Sequence, residues 1–216
     1  MSDARLTART RIKFCGITRP EDARLAVALG VDLLGFVLVP ESPRAISPKA
    51  AEAIRSELPP GVGTVALFKD ADAVTIDVAL QLFDPHWLQF HGAETADDCA
   101  RWGRPWFKAV AMQGGADLSE AAAIYADAGA LLLDGHAPGA MGGSGETFDW
   151  RAAQADVAMP VIVAGGLHPG NVADAIRTAR PYAVDVSSGI ESRPGIKDSG
   201  KMADFVAAVR AADSTR

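Results

Sequence analysis

A cysteine closes the first apolar run of the chain. In Lys13-Phe14-Cys15-Gly16-Ile17-Thr18 the run ends at Cys15, Gly16 turns the backbone, and Thr18 or Asp22 opens an amphipathic stretch. That order predicts a strand, a tight βα turn and a capped helix. A free cysteine is most often an inert core residue. At the C-terminal end of a strand and close to a helix N-terminus it has a second use, because that setting favours the thiolate. A thiolate with a pKa near working pH is a usable general base. Cys99 lies in the helical stretch Ala93–Arg101 and is given no role.

The ends of other apolar runs hold the remaining chemistry. Asp134 follows Leu131-Leu132-Leu133 and precedes Gly135. It is either a turn former or a carboxyl that faces the thiol, and two titratable groups with different tasks suggest acid–base work. His91 follows Leu88-Gln89-Phe90 as a turn residue or a lining group. Arg44 follows Pro43 and is either a solvated loop arginine or a bidentate clamp for a carboxylate. Lys13 stands two residues before Cys15, so both side chains leave the same side of the strand, about 6–7 Å apart. An interior lysine needs a partner. Asp185, near the end of the last strand, is the candidate; the alternative puts Lys13 at the solvated bottom edge. Two turns, Gly165-Gly166 and Ser187-Ser188-Gly189, offer backbone amides and hydroxyls to an oxyanion. Asn171 begins the helix after the first of them.

Such residues need a frame that brings strand ends to one place. Short apolar, β-branched runs recur at Ile12–Cys15, Leu33–Val39, Thr64–Phe68, Trp87–Phe90, Trp106–Val110, Ala130–Leu133, Val161–Ala164 and Ala183–Val186. Stretches rich in Ala, Leu, Glu and Arg separate most of them, among them Glu21–Leu29, Pro48–Leu58, Leu118–Ala128, Asn171–Ala179 and Lys201–Ala212. Alternating strands and helices imply βαβ units and a parallel sheet. Eight such units predict an α/β fold of the (β/α)8 TIM barrel type, whose chemistry lies at the C-terminal mouth and whose phosphate site follows strands seven and eight. An open doubly wound sheet is the alternative, but its Gly-x-Gly-x-x-Gly fingerprint is absent from the first turn. Residues 1–11 are expected to be a flexible leader and 12–212 a single barrel domain. The glycine-rich stretch Ala137–Gly145 is a candidate lid.

Composition narrows the classes. The chain has 216 residues, a net charge of −6 and two cysteines. The acidic balance argues against nucleic acid, which calls for clustered Lys and Arg. No apolar run reaches the ~18 residues of a membrane helix. Two cysteines make no disulfide framework, so a reducing cytoplasm is expected. No His-x-Glu, His-x-x-x-His, Cys-x-x-Cys, Walker or Rossmann pattern occurs, so neither a metal nor a cofactor is indicated. The expected partner is a small phosphorylated molecule that also carries a carboxylate.

The ordered motifs resemble the phosphoribosylanthranilate isomerase family of tryptophan biosynthesis. They are Lys13-Phe14-Cys15-Gly16-Ile17-Thr18, Gly35-Phe36-Val37 through Ser42-Pro43-Arg44, Leu88-Gln89-Phe90-His91-Gly92 and Leu133-Asp134. They continue with Gly142-Gly143-Ser144-Gly145, Thr147-Phe148-Asp149-Trp150, Ala164-Gly165-Gly166-Leu167, Asp185-Val186-Ser187-Ser188-Gly189-Ile190-Glu191 and Pro194-Gly195-Ile196-Lys197-Asp198. The resemblance implies an Amadori rearrangement of N-(5'-phosphoribosyl)anthranilate. Asp134 would protonate the furanose ring oxygen and Cys15 would remove the C2 proton. Arg44 would hold the anthranilate carboxylate. The turns at Gly165, Gly166, Ser187, Ser188 and Gly189 would hold the phosphate, with Lys13, His91 and Asp185 lining or supporting the site. Other enzymes of the tryptophan pathway are its implied functional neighbours. Two positions depart from the family pattern: Glu146 follows the glycine-rich loop, and Lys69-Asp70 follows strand three. Two alternatives stand beside this one. One is another phosphosugar barrel, such as the histidine-pathway isomerase or a bifunctional enzyme. The other is a non-catalytic barrel that binds a phosphate ligand.

Overall fold

A computed structural model describes residues 9–135, 147–154 and 157–215. The stretch Ala137–Gly145 and Glu146 lie outside the described residues. Eight parallel strands close into a barrel in chain order: β1 (Arg11–Cys15), β2 (Leu33–Val37), β3 (Gly63–Phe68), β4 (Trp87–Phe90), β5 (Trp106–Ala111), β6 (Ala130–Asp134), β7 (Val161–Val163) and β8 (Ala183–Val186). Helices α1 (Pro20–Ala28), α2 (Pro48–Arg55), α3 (Ala73–Leu82), α4 (Ala96–Ala100), α5 (Leu118–Ile124), α6 (Val172–Ala179) and α7 (Ser199–Asp213) lie between and after the strands. Between β6 and β7 the described helical element is a single 3-10 turn, Trp150–Gln154.

The strands are apolar on both faces, as parallel strands covered by helices must be. Phe14, Phe36, Phe68, Leu131 and Val184 belong to the layer packed with the helices, where Phe14 meets Phe205 of α7 edge-on at 6.0 Å. The alternate residues form separate groups. Val65, Phe107, Leu132, Ile162 and Ala183 make one cluster, and Cys15, Val37, Val39 and Leu67 make a smaller one near the strand ends.

The first helix starts differently from the sequence expectation. Its N-cap is Arg19, with Pro20 in the first turn, where the missing N–H of proline is harmless. Thr18 and Asp22 are used elsewhere. Thr18 Oγ1 donates to Gly195 O, and Asp22 accepts from Lys197 N at 3.2 Å while pairing with Arg19 at 2.6 Å. Their partners lie in a short antiparallel hairpin, β9 (Glu191–Arg193) and β10 (Ile196–Lys197), placed between β8 and α7. Two residues expected in the leader, Thr10 and Arg11, belong to the barrel instead. Arg11 opens β1, and Thr10 is fully buried, its N–H and hydroxyl donating to Asp213 at 2.8 and 2.6 Å. No helix among the described residues is long and apolar enough to cross a membrane.

The barrel closes where β1 meets β8, and Lys13 is registered directly against Asp185 across that seam. Lys13 Nζ lies 3.0 Å from each Asp185 carboxylate oxygen. Lys13 is therefore an interior residue and not a bottom-edge one; its exposure is 0%. Removing one partner of a buried pair leaves an uncompensated charge, at a cost of about 3–5 kcal/mol. Lys13→Met is expected to lower the unfolding free energy by that amount in urea titrations. A loss below about 1 kcal/mol, the range of exposed pairs, would mean that the pair does not hold the seam.

Candidate active site

Cys15 is the last residue of β1, one pleat above Lys13. Its register neighbour on β2 is Gly35. A Cβ at Gly35 would lie 2.9 Å from Cys15 Sγ and 3.0 Å from Lys13 Nζ, so glycine makes the room that the thiol and the ammonium occupy. Burial pulls the Lys13 ammonium down, but Asp185 and the Cys15 sulfur outweigh it and leave its pKa raised. For Cys15 the balance falls the other way. Burial pushes the thiol above its ordinary value of 9.0, against the downward pull of Lys13 and Lys197. This corrects the sequence expectation of a favoured thiolate. The turn places the thiol at the mouth, but the groups packed around it desolvate it.

Asp134 ends β6, three strands from β1 round the barrel, and is buried. Its Oδ2 lies 3.5 Å from His91 Nε2, just past the end of β4. Gln89 Nε2 lies 3.0 Å from His91 Nδ1 and fixes the ring from behind. Cys15, Gln89, His91, Asp134 and Asp185 all line one cavity at the C-terminal ends of the strands.

The rim beside β2 and β3 is an apolar shelf of Val37, Val39 and Leu67 with Arg44 and Lys69 at its edge. Arg44 is neither a solvated loop arginine nor an uncommitted clamp. Its Nε and Nη2 donate to the two carboxylate oxygens of Glu191, each at 2.9 Å. Glu191 also accepts from Lys197 Nζ at 2.9 Å. Lys197 Nζ reaches on to the carbonyl oxygens of Cys15, at 2.6 Å, and Ser187, at 3.2 Å. Burial pushes the Glu191 carboxyl up, but Arg44 and Lys197 outweigh it and hold it below its ordinary value. Burial draws the Lys197 ammonium down despite Glu191.

The opposite rim belongs to the turns after β7 and β8. Gly165 and Gly166 both have positive φ, 77° and 62°, and line the cavity with Ser187 and Ser188. Successive amides in such a turn form an anion-binding concavity. Asn171 is the N-cap of α6, as expected, but its side chain secures the turn. Nδ2 donates to Gly166 O at 2.9 Å, and Oδ1 accepts from His168 N at 2.8 Å. Ser187 precedes a 3-10 turn, Ser188–Ile190, and its buried hydroxyl has no hydrogen-bond partner among the described residues. Gly189 packs so closely against Leu167 O that a Cβ would collide with it, which locks the two turns together.

Residues 12–208 match the family model described as N-(5'phosphoribosyl)anthranilate (PRA) isomerase. The chain belongs to this family. N-(5'-phosphoribosyl)anthranilate isomerase from Nitrosococcus oceani is 49% identical over 201 residues, covering 93% of this chain and 98% of that one. The enzyme of that name from Pseudomonas putida is 47% identical over 205 residues, covering 95% and 100%. The crystal structure of the Thermotoga maritima phosphoribosyl anthranilate isomerase is 38% identical, with a TM-score of 0.86 and coverage of 94% and 99%. A further phosphoribosyl anthranilate isomerase, solved in complex with reduced 1-(o-carboxyphenylamino)-1-deoxyribulose 5-phosphate, is 35% identical with a TM-score of 0.82, covering 94% and 99%. Family membership favours neither a histidine-pathway isomerase nor a binding-only barrel.

The phosphoribosylanthranilate isomerase motifs contain two residues that sequence reasoning quoted without a role, Glu191 and Lys197. A signal for them existed. They flank Pro194-Gly195, a turn dipeptide, with opposite charges at hairpin spacing, and the hairpin registers one against the other. Of the departure Lys69-Asp70, Lys69 lines the cavity. Asp70 does not; it accepts from Ala93 N at 2.6 Å and ties the β3 loop to the β4 loop. Among the described residues no group of three or more His, Cys, Asp or Glu is arranged to hold a metal ion.

The raised pKa of Cys15 has a direct chemical readout. Only thiolate alkylates readily, so iodoacetamide should modify Cys15 in the ligand-free protein more slowly at pH 7 than a free thiol. The rate should climb steadily as pH passes 9.0. Peptide mass spectrometry should find Cys99, pushed up to about 12 by burial, unmodified throughout. Rapid labelling of Cys15 at neutral pH would overturn the assignment of a buried thiol.

Proposed function

We propose that this chain is the N-(5'-phosphoribosyl)anthranilate isomerase of tryptophan biosynthesis and that Cys15 and Asp134 carry its acid–base chemistry. The observation that carries the roles is their placement: a thiol and a carboxyl on well-separated strands line one cavity whose β7/β8 rim is built of amide-bearing turns. A sugar phosphate seated on that rim extends between the two groups. Family membership supports the activity.

The reaction follows from proton positions. Asp134 delivers its proton to the furanose ring oxygen, the bond from that oxygen to C1 breaks, and the amine lone pair forms a C1=N iminium. The cation acidifies the neighbouring C2–H. Cys15 Sγ, as the thiolate, takes that proton, and the released pair forms C1=C2 and neutralises the nitrogen. The enolamine then gives the ketone as C1 gains a proton and the C2 hydroxyl loses one. Lys13, beside the sulfur, stabilises the thiolate, and Asp185 holds Lys13 there. His91 and Gln89 fix the Asp134 side. The amides of Gly165, Gly166, Ser188 and Gly189 and the Ser187 hydroxyl hold the phosphate. The anthranilate ring lies on the Val37–Val39–Leu67 shelf with its carboxylate at Arg44. The substrate is a small phosphorylated molecule, the catalytic unit is the barrel from Arg11 of β1 through Asp213 of α7, and a reducing cytoplasm keeps both cysteines as thiols.

Loss of a positioned acid or base removes about 10²–10⁴-fold in rate. Cys15→Ala and Asp134→Asn should keep the wild-type circular dichroism and melting profile while kcat falls by that range, measured by the loss of substrate fluorescence. Near-normal turnover in either variant would refute its role. For Arg44→Ala the expected change is a higher KM with kcat largely kept; an unchanged KM would remove Arg44 from carboxylate binding.

A further inference from the structure

Two buried charged residues have no part in the proton transfers. The Glu191 side chain is 4% exposed and that of Lys197 0%. Both belong to the hairpin at the mouth, outside the barrel wall. Burying ions costs several kcal/mol each before pairing, so the cluster calls for a reason beyond stability. Its contacts supply one. Arg44 has two donor edges, and Glu191 occupies the Nε/Nη2 edge in full. The Nη1/Nη2 end is the edge left to meet a carboxylate. On the other side the Arg44 stem rests on the β1 turn, where a Cβ at Gly16 would lie 2.7 Å from Arg44 Cδ. The planar group is thus gripped at its stem and along one edge, and Lys197 fixes Glu191 relative to the Cys15 and Ser187 backbone.

We propose that Glu191 is the positioning residue that aims Arg44 at the substrate's aromatic carboxylate. This rests on the isomerase activity and on the place given to the ring. Two effects of Glu191 oppose each other. Its charge offsets part of the Arg44 charge, which weakens attraction for a carboxylate. Its fork holds the guanidinium in one orientation, which spares the entropy of ordering a long side chain on binding. In a buried pair with both oxygens engaged, orientation outweighs charge, because charge-assisted hydrogen bonds need alignment to reach full strength.

The test uses the full chain and two substrates: N-(5'-phosphoribosyl)anthranilate and the analogue whose ring lacks the carboxylate. Glu191→Gln should raise KM for the carboxylated substrate on the order of tenfold, the size of one charge-assisted hydrogen bond. KM for the analogue should stay as in wild type. In an Arg44→Ala background Glu191→Gln should add nothing further to KM. Glu191→Asp keeps the charge that Lys197 faces but shortens the reach to Arg44. It should show the same substrate-selective rise, and it replaces Glu191→Gln if that variant does not fold. Three results would each overturn the inference while leaving the activity standing: equal KM shifts for both substrates, an unchanged or lower KM for the carboxylated one, or a rise that persists without Arg44. Wild-type protein that fails to turn over the carboxylated substrate would instead overturn the isomerase activity itself.

Discussion

A lysine ammonium buried in the interior of a barrel fixes much else in this molecule. Lys13 is fully buried and needs a counter-charge, and the register of β1 on β8 provides Asp185 in the place where both of its oxygens reach Nζ. A slip of one residue would turn Lys13 outward into the apolar layer between strands and helices, so the pair specifies the closing register as well as stabilising it. The same ammonium stands beside Cys15, and the missing side chain of Gly35 gives both groups their space. The closing interaction of the fold and the electrostatic support of the proposed base are one contact.

A second chain of charges runs parallel to the first at the mouth. It passes from Arg44 through Glu191 to Lys197 and ends on the carbonyls of Cys15 and Ser187. The regions proposed to hold the carboxylate, the base and the phosphate are therefore joined through a small hairpin. A barrel presents its strand ends on loops, which move more readily than strands. Groups meeting a substrate on opposite rims need a link across the gap, and buried ion pairs with hydrogen-bonded carbonyls are stiff ones.

How far the sequence discloses this differs by element. The eight strands are legible because each is a short apolar run, most of them separated by helix-forming stretches, and the observed ends of β1, β4 and β8 agree with those runs to within one residue. Lys13 and Asp185 are legible as a pair once the sheet is closed, since strand periodicity sends Lys13 inward. The start of α1 is not legible in the same way. Thr18 and Asp22 are both good caps by type, yet each turns to a hairpin far along the chain. Tertiary hydrogen bonds override local preference there. The pKa of Cys15 escapes sequence reasoning for a related reason. A turn and a helix N-terminus are local features that favour a thiolate, whereas desolvation depends on what the other seven strands place around the sulfur.

That desolvation bears directly on the chemistry. Raising a thiol's pKa lowers the fraction of thiolate in the empty site, but it strengthens the base that forms, since the proton affinity of the thiolate rises with the same shift. An exposed low-pKa thiolate would be abundant, weakly basic and open to oxidation. A buried one is scarce until a positive charge comes near it. The rearrangement creates that charge itself, because ring opening leaves an iminium next to the carbon whose proton must be removed. In a low-dielectric site that cation, together with Lys13, counts for far more than it would in water. On the proposed roles, the burial that disfavours thiolate in the free protein is offset by a correctly seated, ring-opened substrate, whose cation favours the thiolate once the thiol proton has passed to solvent. In the proposed sequence Asp134 acts first for the same reason: the proton it would give to the ring oxygen produces the charge on which the action of Cys15 would depend.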